Sequence, residues 1–119
     1  METGIFIGWG KPVAGHGREA LTLFSDLVEF FTKKREAGVI TSFEPFFYRT
    51  ADFGQEAGFF VIRGPAEGIE TLNRDEEYIV LLSKAIMLVE HIKTAFLWSG
   101  EGVTQHIDRL GKLYAELAA

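Results

Sequence analysis

Hydrophobic and polar residues follow one another with two different periods along this chain, and the first stretch predicts a strand and then a helix. Apolar side chains fill both faces of residues 5–9, as in a central strand that is covered on both sides. From Arg18 to about Ala37, apolar positions recur every three or four residues. This spacing predicts an amphipathic helix that Gly38 ends as a C-cap.

The next stretch predicts a hairpin. Residues 39–49 alternate loosely, and Pro45 places this strand at an edge of its sheet because proline cannot donate to a strand ladder. Residues 50–56 form a predicted polar turn. Residues 57–63 are rich in aromatic and β-branched side chains and predict the second strand of the hairpin.

A second helical region follows, in two segments. Pro65 suits a first helical position, but Gly68 and Asn73 weaken the opening turns. We therefore expect a short helix and then a long one, from residue 73 or 75 to residue 90. Two entirely apolar runs in the long helix predict that it is buried more deeply than the first helix.

The pattern closes with a strand at residues 92–98 and a helix at about residues 102–118. That last helix carries its apolar residues on one side: Val103, Ile107, Leu110, Tyr114 and Leu117. Right-handed crossovers place the two main helices on one face of a four-stranded antiparallel sheet, with strands one and three in the centre. The predicted fold is an α+β, ferredoxin-like βαββαβ domain over residues 1–119, with its core at about residues 4–99.

The composition indicates that part of the sheet is covered by a partner. Hydrophobic residues make up 47% of the chain, and eleven of them are Phe. The strands carry bulky apolar groups on both sides, whereas the helices cover only one. Leaving several such side chains in water would forgo several kcal/mol, which is comparable with the net stability of a small domain. We expect a homodimer through the uncovered sheet face, or else a monomer in which the C-terminal helix folds back over it.

Charge and segment lengths exclude other partners. The net charge is -5, and Lys33-Lys34-Arg35 is the one basic cluster, so neither nucleic acid nor an anionic membrane surface is expected to bind. No apolar run approaches the roughly 20 residues that span a bilayer. The absence of Cys excludes disulfides and thiolate metal sites. The cytoplasm is the expected compartment.

Residues 4–99 resemble the dimeric α+β barrel superfamily, in which two ferredoxin-like protomers pair sheet to sheet. The resemblance rests on the element order, the two-sided apolar strands, the helix entry from Gly64-Pro65 to Asp75-Glu76-Glu77 and the short closing strand. Similar proteins include YciI-related proteins, small monooxygenases, haem-degrading enzymes and lactone isomerases. The resemblance implies a fold and a dimer, but a fold shared so widely does not imply one reaction.

The glycine-rich loop at residues 8–18 is the most unusual local segment. Gly10 and Gly15 have the spacing of a phosphate loop, but His16 stands where a phosphate-binding Lys is needed, so a nucleotide site is rejected. The remaining hypothesis is a small-anion or carboxylate site built from Lys11, His16, Arg18 and backbone N–H groups at the helix start. A turn that merely needs glycine is the more frequent explanation.

The chain has three histidines, which titrate nearest neutrality. His16 is the best placed for proton transfer, at the mouth between the first strand and helix. His91 suits the C-terminus of the long helix as a cation, and His106 is expected to be solvated. Their spacing contains no local metal-binding pair, so no metal is predicted, and no cofactor either.

The remaining candidates are charged or aromatic residues at strand ends. Arg49 and Arg63 are cations in otherwise apolar strands, and we expect Arg63 to pair with a carboxylate of the helix entry, at Glu67 or at residues 75–77. Trp9 and Trp98 end adjacent antiparallel strands, so they should lie at opposite ends of the sheet and line a cavity, the core or an interface.

Two functions stay open. The first is a non-catalytic homodimer that binds a small apolar or carboxylated ligand, or a protein partner, with the C-terminal helix docked on its own or the partner protomer. The alternative is a cofactor-independent monooxygenase or isomerase with a pocket between sheet and helices, where His16 or Tyr48 would transfer protons. The ligand-binding candidates are Trp9, Lys11, His16, Arg18, Arg49, Arg63 and Trp98.

Overall fold

A computed structural model describes residues 1–49 and 56–118. The elements are β1 (Glu2–Trp9), α1 (Gly17–Glu36), β2 (Ser42–Phe47), β3 (Gly58–Pro65), α2 (Ala66–Asn73), α3 (Glu76–Leu88), β4 (Lys93–Trp98) and α4 (Glu101–Ala118). The predicted order is confirmed, including the division of the second helical region into a short and a long helix. Residues 50–55 of the predicted polar turn lie outside the described residues.

The four strands form one antiparallel sheet in the order β2-β3-β1-β4. β1 and β3 are therefore central, and β2 lies at an edge, as Pro45 predicted. Ile5 stands opposite Ile62 on one side and Phe96 on the other. Trp98 stands opposite Thr3, so the two tryptophans lie at opposite ends of the sheet, as expected from the sequence. The arrangement is ferredoxin-like.

The core lies between the helices and one face of the sheet. Side chains that alternate along β1 and β3 point into it, because successive residues of a strand face opposite sides. The buried hydrophobic residues are Ile5, Ile7, Leu23, Leu27, Phe30, Phe31, Ile40, Phe60, Ile62, Ile69, Leu72, Tyr78, Leu81 and Ala85.

Gly68 and Asp75 have structural roles in α2 and α3. A Cβ at Gly68 would overlap the carbonyl oxygen of Val39, so the glycine permits a close backbone approach of α2. Asp75 is the N-cap of α3, and its Oδ1 accepts hydrogen bonds from the backbone N–H groups of Glu77 at 2.9 Å and Tyr78 at 3.2 Å. Asp75 therefore fixes the start of α3, and Gly68 lets α2 pack closely against the backbone at Val39.

The predicted partner of Arg63 is wrong. Arg63 Nη1 donates to Glu44 Oε1 of the neighbouring strand at 3.3 Å. Because Ile62 points under the helices, Arg63 points to the opposite face, away from the helix entry. The carboxylate at the entry pairs elsewhere: Lys34 Nζ lies 2.6 Å from Asp75 Oδ2.

The prediction that α3 is buried more deeply than α1 is not confirmed, because the two helices bury similar shares of their residues. α3 buries three of its 13 residues: Tyr78, Leu81 and Ala85. α1 buries four of its 20 residues: Leu23, Leu27, Phe30 and Phe31. Several apolar side chains of α3 are in contact with solvent instead, including Ile79, Val80, Ile86 and Met87. The apolar runs of α3 therefore contain more hydrophobic surface than the described chain covers.

The sheet face opposite the helices carries an aromatic row, and we call it the open face: Phe6, Glu44, Phe46, Tyr48, Phe59, Val61, Arg63, Lys93, Ala95 and Leu97. Phe59 stacks on Phe46 at 4.8 Å and on Phe6 at 5.3 Å between ring centroids. α4 does not lie over this row, and its apolar residues Ile107 and Tyr114 are exposed. The alternative in which the C-terminal helix folds back over the open face is therefore wrong. Within residues 1–49 and 56–118, no helix has the length and hydropathy to cross a membrane.

Candidate functional site

Four aromatic rings from four different elements meet on the helix side of the sheet. The Trp9 ring lies 5.1 Å from Phe60, 5.6 Å from Phe47 and 6.0 Å from Phe24. Phe24 also contacts Phe47 at 5.3 Å and Phe60 at 5.4 Å. Such centroid separations are typical of favourable aromatic pairs. The rings form a continuous wall, which we call the aromatic wall.

A cavity of about 240 Å³ lies between this wall and the helices. Apart from the indole N–H of Trp9, none of its described lining side chains carries a polar atom. The lining residues are Ile7, Trp9, Gly10, Pro12, Ala20, Leu21, Leu23, Phe24, Leu27, Phe47, Ala57, Phe60, Leu82, Ala85, Val89 and Ile92. An apolar cavity of this kind favours an apolar occupant over water, because water needs polar partners there.

Gly58 makes room for the largest ring of the wall. A Cβ at residue 58 would lie 2.7 Å from Cζ2 of Trp9 and would overlap the carbonyl oxygen of Phe46. A Cβ atom does not approach other heavy atoms that closely, so any other residue at this position would displace the indole or β2. The position of the Trp9 ring therefore depends on a glycine in the neighbouring strand.

The glycine-rich loop closes one side of the cavity, and two of its backbone N–H groups, those of Gly10 and Val13, are already paired. Gly10 N–H donates to the carbonyl oxygen of Glu90 at 2.7 Å, and Val13 N–H donates to that of Leu88 at 2.9 Å. The N–H of Glu90 in turn donates to the carbonyl oxygen of Lys11 at 2.9 Å. These backbone groups join the loop to the end of α3, so Gly10 and Val13 have no N–H to offer an anion.

The three polar candidates of this loop do not line the cavity. His16 is the N-cap residue of α1, and its Nδ1 lies 2.8 Å from Glu19 Oε1. A carboxylate therefore already lies beside Nδ1 of His16. Lys11 and Arg18 are exposed. The structure thus leaves Lys11, His16 and Arg18 outside the described lining of the cavity.

Tyr48 lies on the open face, on the opposite side of the sheet from the cavity. Its hydroxyl donates to Glu56 Oε2 at 3.2 Å, and Lys93 Nζ donates to Glu56 Oε1 at 2.8 Å. Partial desolvation and the neighbouring Glu56 carboxylate raise the pKa of Tyr48. The hydrogen bond from Lys93 lowers the pKa of Glu56, and the same contact raises the pKa of Lys93. Tyr48 and Lys93 therefore hold their protons more firmly than the free side chains would, and Glu56 releases its proton more readily. All three pKa values move away from neutral pH, which does not suit proton transfer there.

Trp98 takes part in a separate contact at the far end of the sheet. The His106 ring stacks on Trp98 with centroids 4.0 Å apart, and Arg109 lies over the same indole at 5.8 Å. Arg109 Nη1 is 3.0 Å from His106 Nδ1. The expectation that His106 is solvated holds only in part, because the indole covers one side of its ring and the residue is half-buried. Neither Trp98 nor its two neighbours line the cavity.

The remaining candidates are dispersed. Arg63 lies on the open face with Glu44, and Arg49 is exposed beyond the end of β2. His91 is exposed in the turn before β4, where its φ is 57°. Among the residues that the structure describes, no three His, Asp or Glu side chains converge as a metal site would require.

Of the residues singled out from the sequence, the structure places Trp9 alone in the wall of the cavity. Phe24, Phe47 and Phe60 were not singled out. Phe47 lies on the same face of β2 as Phe43, and Phe24 lies on the apolar side of α1. The sequence pattern therefore indicated that both point into the space between the sheet and the helices. Nothing in the sequence distinguished a cavity wall from a filled core.

Solved structures with this arrangement of elements confirm the architecture. A dimeric protein of unknown function with a ferredoxin-like fold from Bacteroides fragilis aligns with a TM-score of 0.61 and 9% identity, covering 82% of this chain and 96% of that one. A ferredoxin-like DABB family protein from Mesorhizobium loti aligns with a TM-score of 0.57 and 10% identity, covering 84% and 99%. This chain has the ferredoxin-like fold.

A third neighbour from Deinococcus radiodurans, assigned as an antibiotic biosynthesis monooxygenase, has a TM-score of 0.57 and 14% identity, covering 84% of this chain and 93% of that one. These three neighbours share the arrangement of strands and helices that the sequence predicts. No protein-family model matches the sequence, and neither does any curated protein. Identities this low establish the shared fold and not a shared activity.

Proposed function

We propose that this protein binds a small apolar molecule in the cavity behind the aromatic wall. The observation that carries the proposal is a cavity of about 240 Å³ whose described side chains are hydrocarbon apart from one indole N–H. An apolar cavity of about 150 Å³ is enough to stay dry and bind a single aromatic ring. The larger volume here suits a molecule of about two fused rings.

Binding is better supported than catalysis. General acid–base catalysis needs a titratable group within hydrogen-bond reach of the substrate. The described lining offers none, and the two proton-transfer candidates lie elsewhere: His16 beside Glu19, and Tyr48 on the other side of the sheet. These placements weigh against the cofactor-independent monooxygenase or isomerase.

The same lining favours an apolar ligand over a carboxylated one. A carboxylate that enters an apolar cavity loses its hydration, and this loss is costly unless a cation or hydrogen-bond donors replace the water. Lys11, Arg18, Arg49 and Arg63 all lie outside the described lining. A ligand with a carboxylate should therefore bind more weakly than the same ring system without it.

The protein that binds this ligand is, in our proposal, a homodimer joined through the open face. Support comes from the stacked row of Phe6, Phe46 and Phe59 on a face that no described helix covers. It also comes from the Bacteroides fragilis neighbour, which is dimeric. Two copies related by a two-fold axis would bury this row against itself. The cytoplasm stays the predicted compartment.

Isothermal titration with naphthalene and with naphthoate tests the ligand proposal. We expect naphthalene to bind at least about tenfold more tightly than naphthoate, because the carboxylate gains no partner in the cavity. Ala85→Leu adds carbon atoms to the lining and should abolish naphthalene binding. Ala115→Leu makes the same change on the exposed side of α4 and should leave binding unaltered. Tighter binding of naphthoate, or no binding of naphthalene, would refute the proposal.

A further inference from the structure

Three of the residues that line the cavity are also exposed to solvent. Leu21 is 70% exposed and Phe47 is 60% exposed, and Pro12 is exposed as well. The other described lining residues are buried or half-buried. An exposed apolar side chain is ordinary on a protein surface. A side chain that borders both the cavity and the solvent, however, lies where the two meet, so these three residues mark what we call the cavity mouth.

The cavity mouth is built from three separate elements, and backbone pairing holds two of them in place. Pro12, in the glycine-rich loop, forms an isolated β-bridge with Val89, the C-cap of α3. Phe47 is the last residue of β2 and is paired with Gly58 of β3. Leu21 lies within α1. The mouth is therefore an opening that the fold itself maintains.

The mouth lies on the helix side of the sheet. The ring of Phe47 contacts those of Trp9 and Phe24, which belong to the aromatic wall, and Leu21 belongs to a helix that covers the same side. The open face lies on the other side of the sheet. A homodimer joined through the open face would therefore leave the mouth in contact with solvent.

The interior and the mouth set different conditions for a ligand. A polar group inside the cavity would lose its hydration without gaining a partner, because the described lining side chains are hydrocarbon apart from one indole N–H. At the mouth the same group would remain in water. Lysine and arginine side chains use this arrangement at protein surfaces, where the hydrocarbon stem is buried and the charged end is solvated.

We infer that the cavity takes the ring end of an amphipathic molecule whose polar end remains in water at the mouth. The inference rests on the ligand binding proposed above and names the class of ligand: a ring system joined to a polar group by a short hydrocarbon chain. Pro12, Leu21 and Phe47 would contact that chain. The weak binding expected of naphthoate then applies only to a carboxylate that is attached directly to the rings.

Matched pairs of ligands test this inference by isothermal titration at neutral pH. Each pair compares a carboxylate with the hydrocarbon that has a methyl group in its place: 1-naphthoate with 1-methylnaphthalene, and 4-(1-naphthyl)butanoate with 1-butylnaphthalene. We expect the carboxylate to weaken binding by about tenfold or more in the first pair. In the second pair we expect a loss of less than about threefold, because the longer chain carries the carboxylate into water.

A substitution at the mouth gives a second readout. Leu21→Trp should be tolerated by the fold because Leu21 is largely exposed, and the larger side chain should narrow the mouth. We expect it to weaken the binding of naphthylbutanoate several-fold more than the binding of naphthalene. Thr22→Trp is the matched control, because Thr22 is exposed on the same helix but lies outside the described lining of the cavity. It should leave the binding of both ligands unchanged.

The outcomes separate this inference from the proposed function. If naphthalene binds but the carboxylate costs about tenfold in both pairs, the polar end does not reach water and the inference is refuted while the proposed function stands. The inference is likewise refuted if Leu21→Trp affects naphthylbutanoate no more than Thr22→Trp does. If naphthalene does not bind at all, both the proposed function and the inference fail.

Discussion

Lys34 Nζ lies 2.6 Å from Asp75 Oδ2, so the last turn of α1 is joined to the N-cap of α3. The other oxygen of the same carboxylate accepts two backbone N–H groups of α3. The hydrogen bond from Lys34, assisted by those from Tyr78 and Glu77, lowers the pKa of Asp75 below its ordinary value. One aspartate therefore aligns the two helices that flank the cavity.

Replacing this aspartate should cost stability in two separable parts. Asp75→Asn keeps a capping side chain but loses the ion pair, whereas Asp75→Ala loses both, so the alanine variant should be the less stable by about 1 kcal/mol. Urea denaturation at neutral pH measures both free energies of unfolding. Equal losses for the two variants would show that the cap contributes nothing.

The ion pair also predicts a pH dependence. Because the pKa of Asp75 is lower in the folded chain than in the unfolded chain, its contribution is fully present above the unfolded value of about 3.9 and is lost as pH falls through the folded value. The stability difference between the natural chain and Asp75→Asn should therefore shrink on acidification from about pH 7 to about pH 3. A difference that stays constant over this range would contradict the assignment.

Gly58→Ala should displace the Trp9 indole. The new Cβ would approach Trp9 Cζ2 to 2.7 Å, and the backbone oxygen of Phe46 leaves no room on its other side. We expect a loss of about 1–3 kcal/mol in the free energy of unfolding, as for other overpacked sites, and a changed Trp9 fluorescence spectrum. Gly111→Ala is the control, because a Cβ there meets no atom within 4 Å and alanine favours a helix. Equal stability of the two variants would argue against tight packing at Trp9.

A lysine on the open face should dissociate the proposed dimer. Ala95 is exposed opposite Phe6, so Ala95→Lys leaves the core of one protomer intact but places a charge within the paired row. Sedimentation equilibrium should show a shift from dimer toward monomer. Met87→Lys, on the outer side of α3, is the control and should remain dimeric. A dimer that tolerates Ala95→Lys would place the interface on another surface.

Local sequence patterns predicted the helices and strands of this fold. Side-chain partners and burial depend on contacts between those elements, and they were predicted less well. Pro45 marked an edge strand because its missing N–H is a property of one residue. The partner of Arg63 was missed because strand parity, which directs it away from the helices, outweighed the nearby carboxylates. The apolar runs of α3 predicted deeper burial than the described chain provides, because an apolar pattern does not show whether another element covers it, and Ile86 is exposed.

The candidate site was less predictable than the fold. Trp9 was recognised from its type and its place at a strand end, whereas Phe24, Phe47 and Phe60 resembled ordinary core residues. A cavity exists where α3 stands off from the sheet, and helical periodicity specifies which side of a helix is apolar but not how far away its neighbour lies. The charged candidates were selected because they interrupt otherwise apolar or glycine-rich segments, but none of them lines the described cavity.

The most direct test of ligand binding in this cavity is a proton–nitrogen correlation spectrum recorded during titration with naphthalene. The chain contains two tryptophans, so it gives two indole N–H signals, and Trp98→Phe identifies the signal of Trp9. We predict that the Trp9 signal shifts progressively to saturation, because its ring lines the cavity, while the Trp98 signal stays in place. A Trp9 signal that does not move, or a shift confined to Trp98, would contradict the proposed site.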